Sequence, residues 1–311
     1  MPMNKQIAAL INNIEKVIVG KREPITKVVC AMLAEGHILI EDVPGVGKTR
    51  LVASLASSVE GAFNRIQLTP DIMPSDIVGF SMIDPKTREL EYKAGAAMCN
   101  FLLADEINRA SPKSQSSLLE VMEEHQISLD GNTMPLPSPF MVLATQNPVE
   151  TYGTYHLPEA QMDRFIMKIS MGYPSPEEEL DIITRSENPQ FSEKLPAVMT
   201  IEELNSHIEN VKTVRCTDSV KQYIVSLLNA SRMSDLVKLG ASPRAGIALL
   251  KAAKAYSYIN DRDYVVPDDV KAVMSAVLSH RLMLSPKGKS AYPDAEAVME
   301  QIAMTVPAPL K

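Results

Sequence analysis

The residues with the clearest chemical potential are a glycine-rich turn and the lysine and threonine that follow it. The stretch His37–Thr49 reads H-I-L-I-E-D-V-P-G-V-G-K-T. It begins with an apolar run typical of a buried strand, and apolar side chains recur at helical spacing after Lys48. A strand, a glycine-rich turn and a helix in this order are the context of a phosphate-binding loop, whose backbone N–H groups face an anion. In such a loop Lys48 reaches the β- and γ-phosphates, and the Thr49 hydroxyl ligates Mg²⁺.

One position departs from the general phosphate-loop pattern, which has glycine where this chain has Asp42. A coincidental G-x-G-K-T turn is the alternative explanation for this stretch alone. On the phosphate-loop interpretation, we expect a nucleotide to contact the continuous run of residues Asp42, Val43, Pro44, Gly45, Val46, Gly47, Lys48, Thr49 and Arg50.

Two acids follow a second apolar run. Phe101–Ala104 ends in Asp105 and Glu106, and Asp105 lies 57 residues after Lys48. Ligands gather at the carboxyl ends of parallel strands, so we expect Asp105 to hold Mg²⁺ and Glu106 to polarise an attacking water. An exposed acid pair at a strand end is the alternative. Asn147 ends the next apolar run, where it could orient the same water or sense the γ-phosphate; alone it would read as a turn residue.

Apolar strand patterns alternate with helical patterns as far as Tyr173, and only helical patterns follow. This alternation predicts an α/β fold with a parallel sheet flanked by helices, followed by an all-helical domain. We place the core at residues 1–174, a linker at 175–198 and the helical domain at 199–311. Two segments, 81–92 and 126–136, are each predicted to form a hairpin, the second because of its Asp-Gly turn.

Helical spacing also predicts which side chains are buried. Three glutamates lie opposite the apolar residues of the helix after Ser111-Pro112, and we expect them to form a solvated face: Glu120, Glu123 and Glu124. In the helical domain, one predicted buried stripe consists of Val220, Tyr223, Ile224, Leu227 and Leu228, and another of Ile247, Leu250 and Ala253.

The composition limits the class of protein. The chain has 311 residues, of which 45% are hydrophobic and 22% charged, as in globular proteins without a membrane span. Three dispersed cysteines and five dispersed histidines argue against disulfides and a metal cluster. The net charge of −7 argues against general nucleic-acid binding. Because the N-terminus lacks the features of a signal peptide, we expect a cytoplasmic protein.

Seven sequence blocks, in a fixed order over most of the chain, resemble the MoxR-type ATPases of the AAA+ superfamily. The blocks are E-D-V-P-G-V-G-K-T (41–49), T-P-D-I-M-P-S-D-I-V-G (69–79), L-L-A-D-E-I-N-R-A (102–110), L-A-T-Q-N-P (143–148), L-P-E-A-Q-M-D-R-F (157–165), G-A-S-P-R-A (240–245) and H-R-L (280–282). Asp42 agrees with this family's own loop. Lys93–Met98 fits less well, because relatives usually carry a Gly-Pro and an aromatic residue there.

The resemblance implies roles for individual residues and implies ATP and Mg²⁺ as cofactors. Lys48 and Thr49 match the Walker A residues, Asp105 and Glu106 the Walker B pair, and Asn147 sensor 1. Arg164 matches the arginine finger, which completes the site of a neighbouring subunit, and Arg244 matches sensor 2 on the helical lid. Without the resemblance, Arg164 would read as a surface ion-pair residue and Arg244 as a helix-start residue.

The resemblance further implies an ATP-driven homo-oligomeric ring, usually a hexamer, that remodels or matures protein clients. A partner with a von Willebrand factor A domain is also implied. The alternatives are a magnesium-chelatase-like AAA+ subunit, a DNA-dependent motor, and a nucleotide-gated scaffold that turns over too slowly to do work. Residues 81–92 have no basic surplus, which disfavours the DNA motor. The sequence has no N-K-x-D motif, which reads the base of GTP, so GTP is disfavoured as the nucleotide.

Overall fold

The structure is a computed structural model of the 311-residue chain. It describes residues 3–43, 45–147, 154–155, 157–187 and 195–309. Over these ranges, none of the helices combines the length and the apolar character that a membrane crossing needs.

Eleven strands occur in the described part of the chain. In order they are β1 (His37–Glu41), β2 (Phe63–Gln67), β3 (Phe80–Ile83), β4 (Leu90–Lys93), β5 (Phe101–Asp105), β6 (Gln126–Leu129), β7 (Asn132–Pro135), β8 (Met141–Gln146), β9 (Phe165–Ile169), β10 (Val237–Leu239) and β11 (Met283–Leu284). Five of them form the central sheet in the order β2-β5-β8-β1-β9, and every neighbouring pair is parallel. The predicted parallel sheet is therefore confirmed.

The helices of the described residues, in chain order, are α1 (Lys5–Glu15), α2 (Arg22–Leu33), α3 (Lys48–Ser58), α4 (Pro74–Val78), α5 (Pro112–Glu124), α6 (Glu159–Met162), α7 (Pro176–Ser186), α8 (Ile201–Thr213), α9 (Asp218–Met233), α10 (Pro243–Ile259), α11 (Pro267–Leu278), α12 (Pro286–Ala291) and α13 (Ala295–Met304). Two short 3-10 helices span Ile107–Arg109 and Ser279–Arg281. A capping box begins α8: the Thr200 side chain accepts from the backbone N–H of Glu203, and the Glu203 side chain accepts from the backbone N–H of Thr200.

Helices cover both faces of the sheet. Ile38 and Ile40 of β1 belong to one buried apolar cluster, with residues of α1, α2 and α3. Leu39 lies between them in sequence and belongs to a second cluster, with residues of α5. Successive side chains of a strand point to opposite faces, so a strand that is apolar at every position needs cover on both sides.

Both predicted hairpins are confirmed. β3 pairs with β4 in antiparallel register, and β6 pairs with β7. The first hairpin rests on a close backbone contact, because a Cβ added to Gly95 would lie 2.3 Å from the backbone nitrogen of Gly79. Four of its side chains are exposed apolar groups: Phe80, Met82, Ile83 and Leu90.

The C-terminal part is a helical lid, with two differences from the sequence analysis. A short antiparallel pair of strands, β10 and β11, joins its helices. The predicted stripe on α9 is buried, but on α10 the prediction was wrong for Ile247, which is 60% exposed. The buried residues of α10 include Ala245, Leu249 and Ala252. The small alanine side chains on this face let α10 pack closely against its neighbours.

Two elements near the end of the core were not predicted. β9 forms the edge of the sheet beside β1, with Phe165 opposite His37 and Ile169 opposite Ile40. The helix α7 lies inside the segment 175–198 that the sequence analysis assigned to a linker.

The lid is fixed to the core through Arg281, in the H-R-L block. Its guanidinium donates to Asp163 Oδ1 at 2.5 Å and to the carbonyl oxygens of Asp163 (3.1 Å), Phe165 (2.8 Å) and Ile166 (3.2 Å). The Arg281 side chain is only 4% exposed. One lid residue thus satisfies several acceptors at the start of β9.

His37, the first residue of β1, is buried beside the end of α5. Its Nδ1 accepts from the backbone N–H of Val142 at 3.0 Å, so Nε2 carries the proton that is donated to the Met122 carbonyl at 2.8 Å. Burial lowers the pKa of His37 to about 4, and the nearby His125 acts in the same direction.

Candidate functional site

The phosphate loop leaves the carboxyl end of β1 and enters α3. Gly45 and Gly47 have φ angles of 88° and 90°, a region that side chains with a Cβ rarely adopt. Gly47 is the N-cap of α3 and provides no side-chain cap. The first-turn N–H groups of α3 are therefore left to face the adjoining cavity, as an anion site at a helix N-terminus requires.

A cavity of about 320 Å³ lies in front of this helix. It is lined by residues of the loop and of three strand ends: Gly45, Gly47, Lys48, Thr49, Arg50, Arg65, Gln67, Asp105, Glu106, Thr145 and Asn147. The structure thus brings together the predicted Walker A and Walker B residues and Asn147 on one cavity.

Lys48 projects over the loop, and its Nζ donates to the backbone carbonyl of Asp42 at 3.0 Å. Burial lowers the pKa of Lys48, while the carboxylates of Asp42, Asp105 and Glu106 oppose that shift. The Asp42 carbonyl thus holds the ammonium group at the cavity, and the three nearby carboxylates favour its charged form.

The remaining described loop residues do not line the cavity. The Asp42 carboxylate turns away from it and accepts from the backbone N–H groups of Met171 (2.6 Å) and Gly172 (3.0 Å), just beyond β9. Val46 packs against the apolar core, and the Val43 N–H donates to Asp42 Oδ1 at 3.1 Å. In this structure Asp42 therefore ties the loop to the neighbouring strand. Pro44, the other residue predicted for this loop, lies outside the described residues.

The two acids at the end of β5 share one hydroxyl. Thr145 Oγ1 donates to Asp105 Oδ1 at 3.1 Å and accepts from the backbone N–H of Glu106 at 3.0 Å. Arg65 of β2 donates its Nε–H to the other oxygen, Asp105 Oδ2, at 2.7 Å. Asp105 is consequently fixed on both carboxylate oxygens.

Glu106 adopts an uncommon backbone conformation. Its φ of 58° and ψ of 53° lie in the left-handed region, which costs a residue with a Cβ roughly 1 kcal/mol. The conformation turns the chain out of β5 into the 3-10 helix Ile107–Arg109. Glu106 Oε2 accepts from Arg109 Nη1 at 3.0 Å, and the Glu106 side chain is 27% exposed.

Three residues of this cavity were missed by the sequence analysis. Arg65 and Gln67 lie two positions apart on β2, so both project from the same face at the carboxyl end of that strand. Like Asp105, they belong to a strand of the parallel sheet whose carboxyl end faces the cavity, where ligands gather. Thr145 stands within the L-A-T-Q-N-P block, two residues before Asn147, and the pattern assigned it no role.

Arg164 and Arg244 line a different cavity. Arg164 directly precedes β9, and the first residue of β9 lies opposite the first residue of β1. The phosphate loop follows the last residue of β1, so Arg164 and the loop lie at opposite ends of this strand. With about 3.3 Å per residue, these two ends of β1 are roughly 13 Å apart. Arg164 and Arg244 both bind the carboxylate of Glu123, so the two arginines lie together at the end of the sheet opposite the phosphate loop.

The cavity at the phosphate loop suits a nucleotide with Mg²⁺. Within the described residues, no group of three or more His, Cys, Asp or Glu side chains could hold a metal ion alone. Mg²⁺ that binds with a nucleotide needs only one or two protein oxygens, because phosphates and waters supply the others. Thr49 and Asp105 line this cavity and are oxygen donors of the required kind.

Comparisons with known proteins agree with this architecture. Residues 37–167 match the model of the ATPase family associated with various cellular activities, and residues 229–302 match the AAA lid domain. The chain is 49% identical to the protein YeaC of Bacillus subtilis over 301 residues, which are 97% of this chain and 94% of that one. It is 41% identical to Chaperone MoxR1 of Mycobacterium tuberculosis, over 96% of this chain and 81% of that one.

A solved structure has the same fold. The crystal structure of a protein from Cytophaga hutchinsonii superposes with a TM-score of 0.92 at 38% identity, and the match covers 98% of this chain and 96% of the other. The superposed region includes both the sheet core and the helical lid.

Proposed function

The chain belongs to the MoxR family of AAA+ ATPases, and from that premise we propose that it hydrolyses ATP in the cavity at the phosphate loop. One observation carries the proposal. The uncapped start of α3, Lys48, the two acids at the end of β5 and Asn147 all face one cavity of about 320 Å³. Such a cavity can bind a triphosphate at one side and place a water beside a carboxylate at the other.

Each residue then has a defined task. Lys48 contacts the β- and γ-phosphates, Thr49 and Asp105 hold Mg²⁺, Glu106 polarises the attacking water, and Asn147 orients that water. Bound Mg²⁺ neutralises charge on the phosphate oxygens. The Thr145 hydroxyl supports the arrangement because it donates to the Asp105 carboxylate and accepts from the Glu106 backbone N–H, and so fixes the Glu106 backbone relative to Asp105.

Two variants separate nucleotide binding from turnover. Lys48→Ala removes the charge that contacts the phosphates, so binding of a fluorescent ATP analogue and phosphate release should both fall. Glu106→Gln keeps the shape of the side chain, so ATP should bind but persist. Phosphate release by Glu106→Gln at the parent rate would exclude Glu106 as the water-activating residue.

We further propose that Arg164 and Arg244 act on the nucleotide of a neighbouring subunit in a homo-oligomeric ring, a hexamer by the family resemblance. Their position at the opposite end of the sheet from their own phosphate loop supports this assignment. A guanidinium supplied in trans stabilises charge on the γ-phosphoryl group and is worth about 10³–10⁵ in rate in related systems. In dilute solution the rate of phosphate release should then rise more steeply than linearly with protein concentration.

A mixing experiment tests the shared site. Arg164→Ala and Glu106→Gln should each be nearly inactive. When the two variants exchange subunits, some interfaces pair an intact Glu106 with an intact Arg164, and partial activity should return. Confirmed exchange of subunits without recovery of phosphate release would contradict action in trans.

We also propose that the work done is remodelling of a protein client in the cytoplasm, with a von Willebrand factor A domain protein as partner. The β3–β4 hairpin supports a protein rather than a nucleic-acid client. Its exposed Phe80, Met82, Ile83 and Leu90 offer apolar surface, whereas nucleic acid requires a cationic surface.

Two measurements separate these client classes. Glu106→Gln loaded with ATP should retain client proteins, and the added changes Ile83→Ser and Leu90→Ser should release them without altering nucleotide binding. Single- or double-stranded DNA should leave the rate of phosphate release unchanged. Strong stimulation by DNA, together with retention of clients that is insensitive to the hairpin changes, would favour the DNA-dependent motor instead.

A further inference from the structure

Glu123, near the end of α5, is the point at which the two arginines meet. Its Oε2 accepts from Nε of Arg164 at 2.9 Å and lies 2.9 Å from Nη2 of the same guanidinium, and its Oε1 accepts from Nη2 of Arg244 at 2.8 Å. The sequence pattern predicted only that Glu123 belongs to a solvated face, and the structure shows that it also binds two arginines. Its side chain is 37% exposed, but each carboxylate oxygen binds a different guanidinium.

The surrounding charges show why a carboxylate is needed at this point. The cavity beside Glu123 is lined by four cationic side chains, Arg164, Arg244, Lys251 and Arg281, and by three carboxylates, Glu35, Glu123 and Asp163. Of those carboxylates, Asp163 binds Arg281 and Glu35 binds Lys212.

Among the described residues, Glu123 is thus the carboxylate on this cavity that pairs with Arg164 and Arg244. It offsets the repulsion between two guanidiniums that approach the same group. Hydrogen bonds from Arg244 and Arg164 lower the pKa of Glu123, so it stays ionised at neutral pH.

We infer that Glu123 is a positioning residue that presents Arg164 and Arg244 as one unit to the γ-phosphate of the nucleotide in the neighbouring copy of this chain. The inference rests on the proposed function. A guanidinium carries five N–H donors in a fixed plane, and Glu123 contacts only two nitrogens of Arg164 and one of Arg244. The remaining donors can reach phosphate oxygens while the carboxylate holds both planes in place.

The test is Glu123→Gln, which keeps the size of the side chain and removes its charge. We expect kcat for ATP to fall about 10- to 100-fold, the cost of misplacing a catalytic group by about an ångström. The KM for ATP should change little, because the variant's own phosphate loop is untouched. Glu120→Gln and Glu124→Gln are matched controls on the same helix, since neither glutamate forms an ion pair with a described residue, and both should keep the parent kcat.

Mixing distinguishes an effect in trans from a local one. Glu123→Gln and Glu106→Gln mixed together should recover activity, because a Glu106→Gln subunit supplies ordered arginines to the intact site of a Glu123→Gln neighbour. A parent-like kcat for Glu123→Gln overturns the inference, as does confirmed subunit exchange without recovery. Loss of the oligomer in Glu123→Gln, measured by light scattering at a concentration where the parent assembles, also overturns it.

The same data show whether the proposed function itself fails. If Arg164→Ala is nearly inactive and Glu123→Gln has the parent kcat, only the role of Glu123 is wrong. If the parent releases no phosphate, or if Arg164→Ala is as active as the parent, the proposed function is wrong before Glu123 is considered.

Discussion

Replacement of Arg281 by methionine should loosen the attachment of the lid to the core. The methionine keeps most of the apolar length of the side chain but removes the guanidinium that bonds Asp163 and the carbonyls of Phe165 and Ile166. The change leaves a carboxylate that is only 19% exposed without its ion-pair partner, and it removes one hydrogen-bond donor from each of the carbonyl oxygens of Asp163, Phe165 and Ile166.

The expected loss can be estimated from these contacts. Breaking a buried ion pair by removing one partner costs about 3–5 kcal/mol, and the partial exposure of Asp163 favours the lower end, about 3 kcal/mol. An entropy of unfolding of about 2.1 cal/mol/K per residue gives roughly 0.65 kcal/mol/K for a chain of this length. The midpoint of thermal unfolding should therefore fall by about 5 °C.

Thermal unfolding followed by circular dichroism measures this shift, with Arg215→Met as the matched control. Arg215 also pairs with an aspartate in the lid, Asp263, at 2.8 Å, but both side chains are about three-quarters exposed. An exposed pair contributes about 0–1 kcal/mol, so the control should fall by no more than about 2 °C. Equal midpoints for Arg281→Met and Arg215→Met would refute the argument that burial makes the Arg281 pair important.

Three further changes test other contacts. Thr145→Val removes the hydroxyl that binds the Glu106 N–H and should lower kcat about 10-fold, whereas Thr145→Ser retains a hydroxyl and should have the parent kcat. Equal rates for the two variants would show that the hydroxyl does not contribute to turnover. Gly95→Ala places a Cβ 2.3 Å from the backbone of Gly79, so it should lower the free energy of unfolding in urea by about 1–3 kcal/mol. It should also increase proteolysis of the β3–β4 hairpin, and an unchanged digestion pattern would contradict this prediction. His37 has a pKa of about 4 in the folded chain and an ordinary value of 6.5, so between these pH values the unfolded chain binds more protons than the folded chain. The free energy of unfolding should therefore fall by about 3 kcal/mol as the pH drops from 6.5 to 4. His37→Gln should remove this part of the pH dependence, and a parent-like dependence in that variant would contradict the assignment.

Local patterns were sufficient for the parts of the site that lie close together in sequence. The phosphate loop follows from a strand, two glycines and Lys48 within a short stretch. The acids at the end of β5 follow from the rule that ligands gather at the carboxyl ends of parallel strands. Both hairpins could be predicted because their turns and flanking residues are contiguous.

The elements that sequence reasoning missed depend on distant partners. β9 is a short apolar run, which periodicity alone cannot assign to a strand. Its pairing with β1, a distant segment of the chain, makes it a strand. The exposure of Ile247 follows from which face of α10 the rest of the lid covers. Glu123 is bound by arginines 41 and 121 residues away, so no local pattern distinguishes it from its neighbours Glu120 and Glu124.

The left-handed backbone of Glu106 sets stability against activity at a single position. Glycine and asparagine adopt that conformation more readily than glutamate, so either would relax the chain as it leaves β5. Neither carries the carboxylate that the proposed hydrolysis needs. A selection for heat resistance alone, applied to random substitutions at this position, would therefore enrich inactive chains and discard the acid.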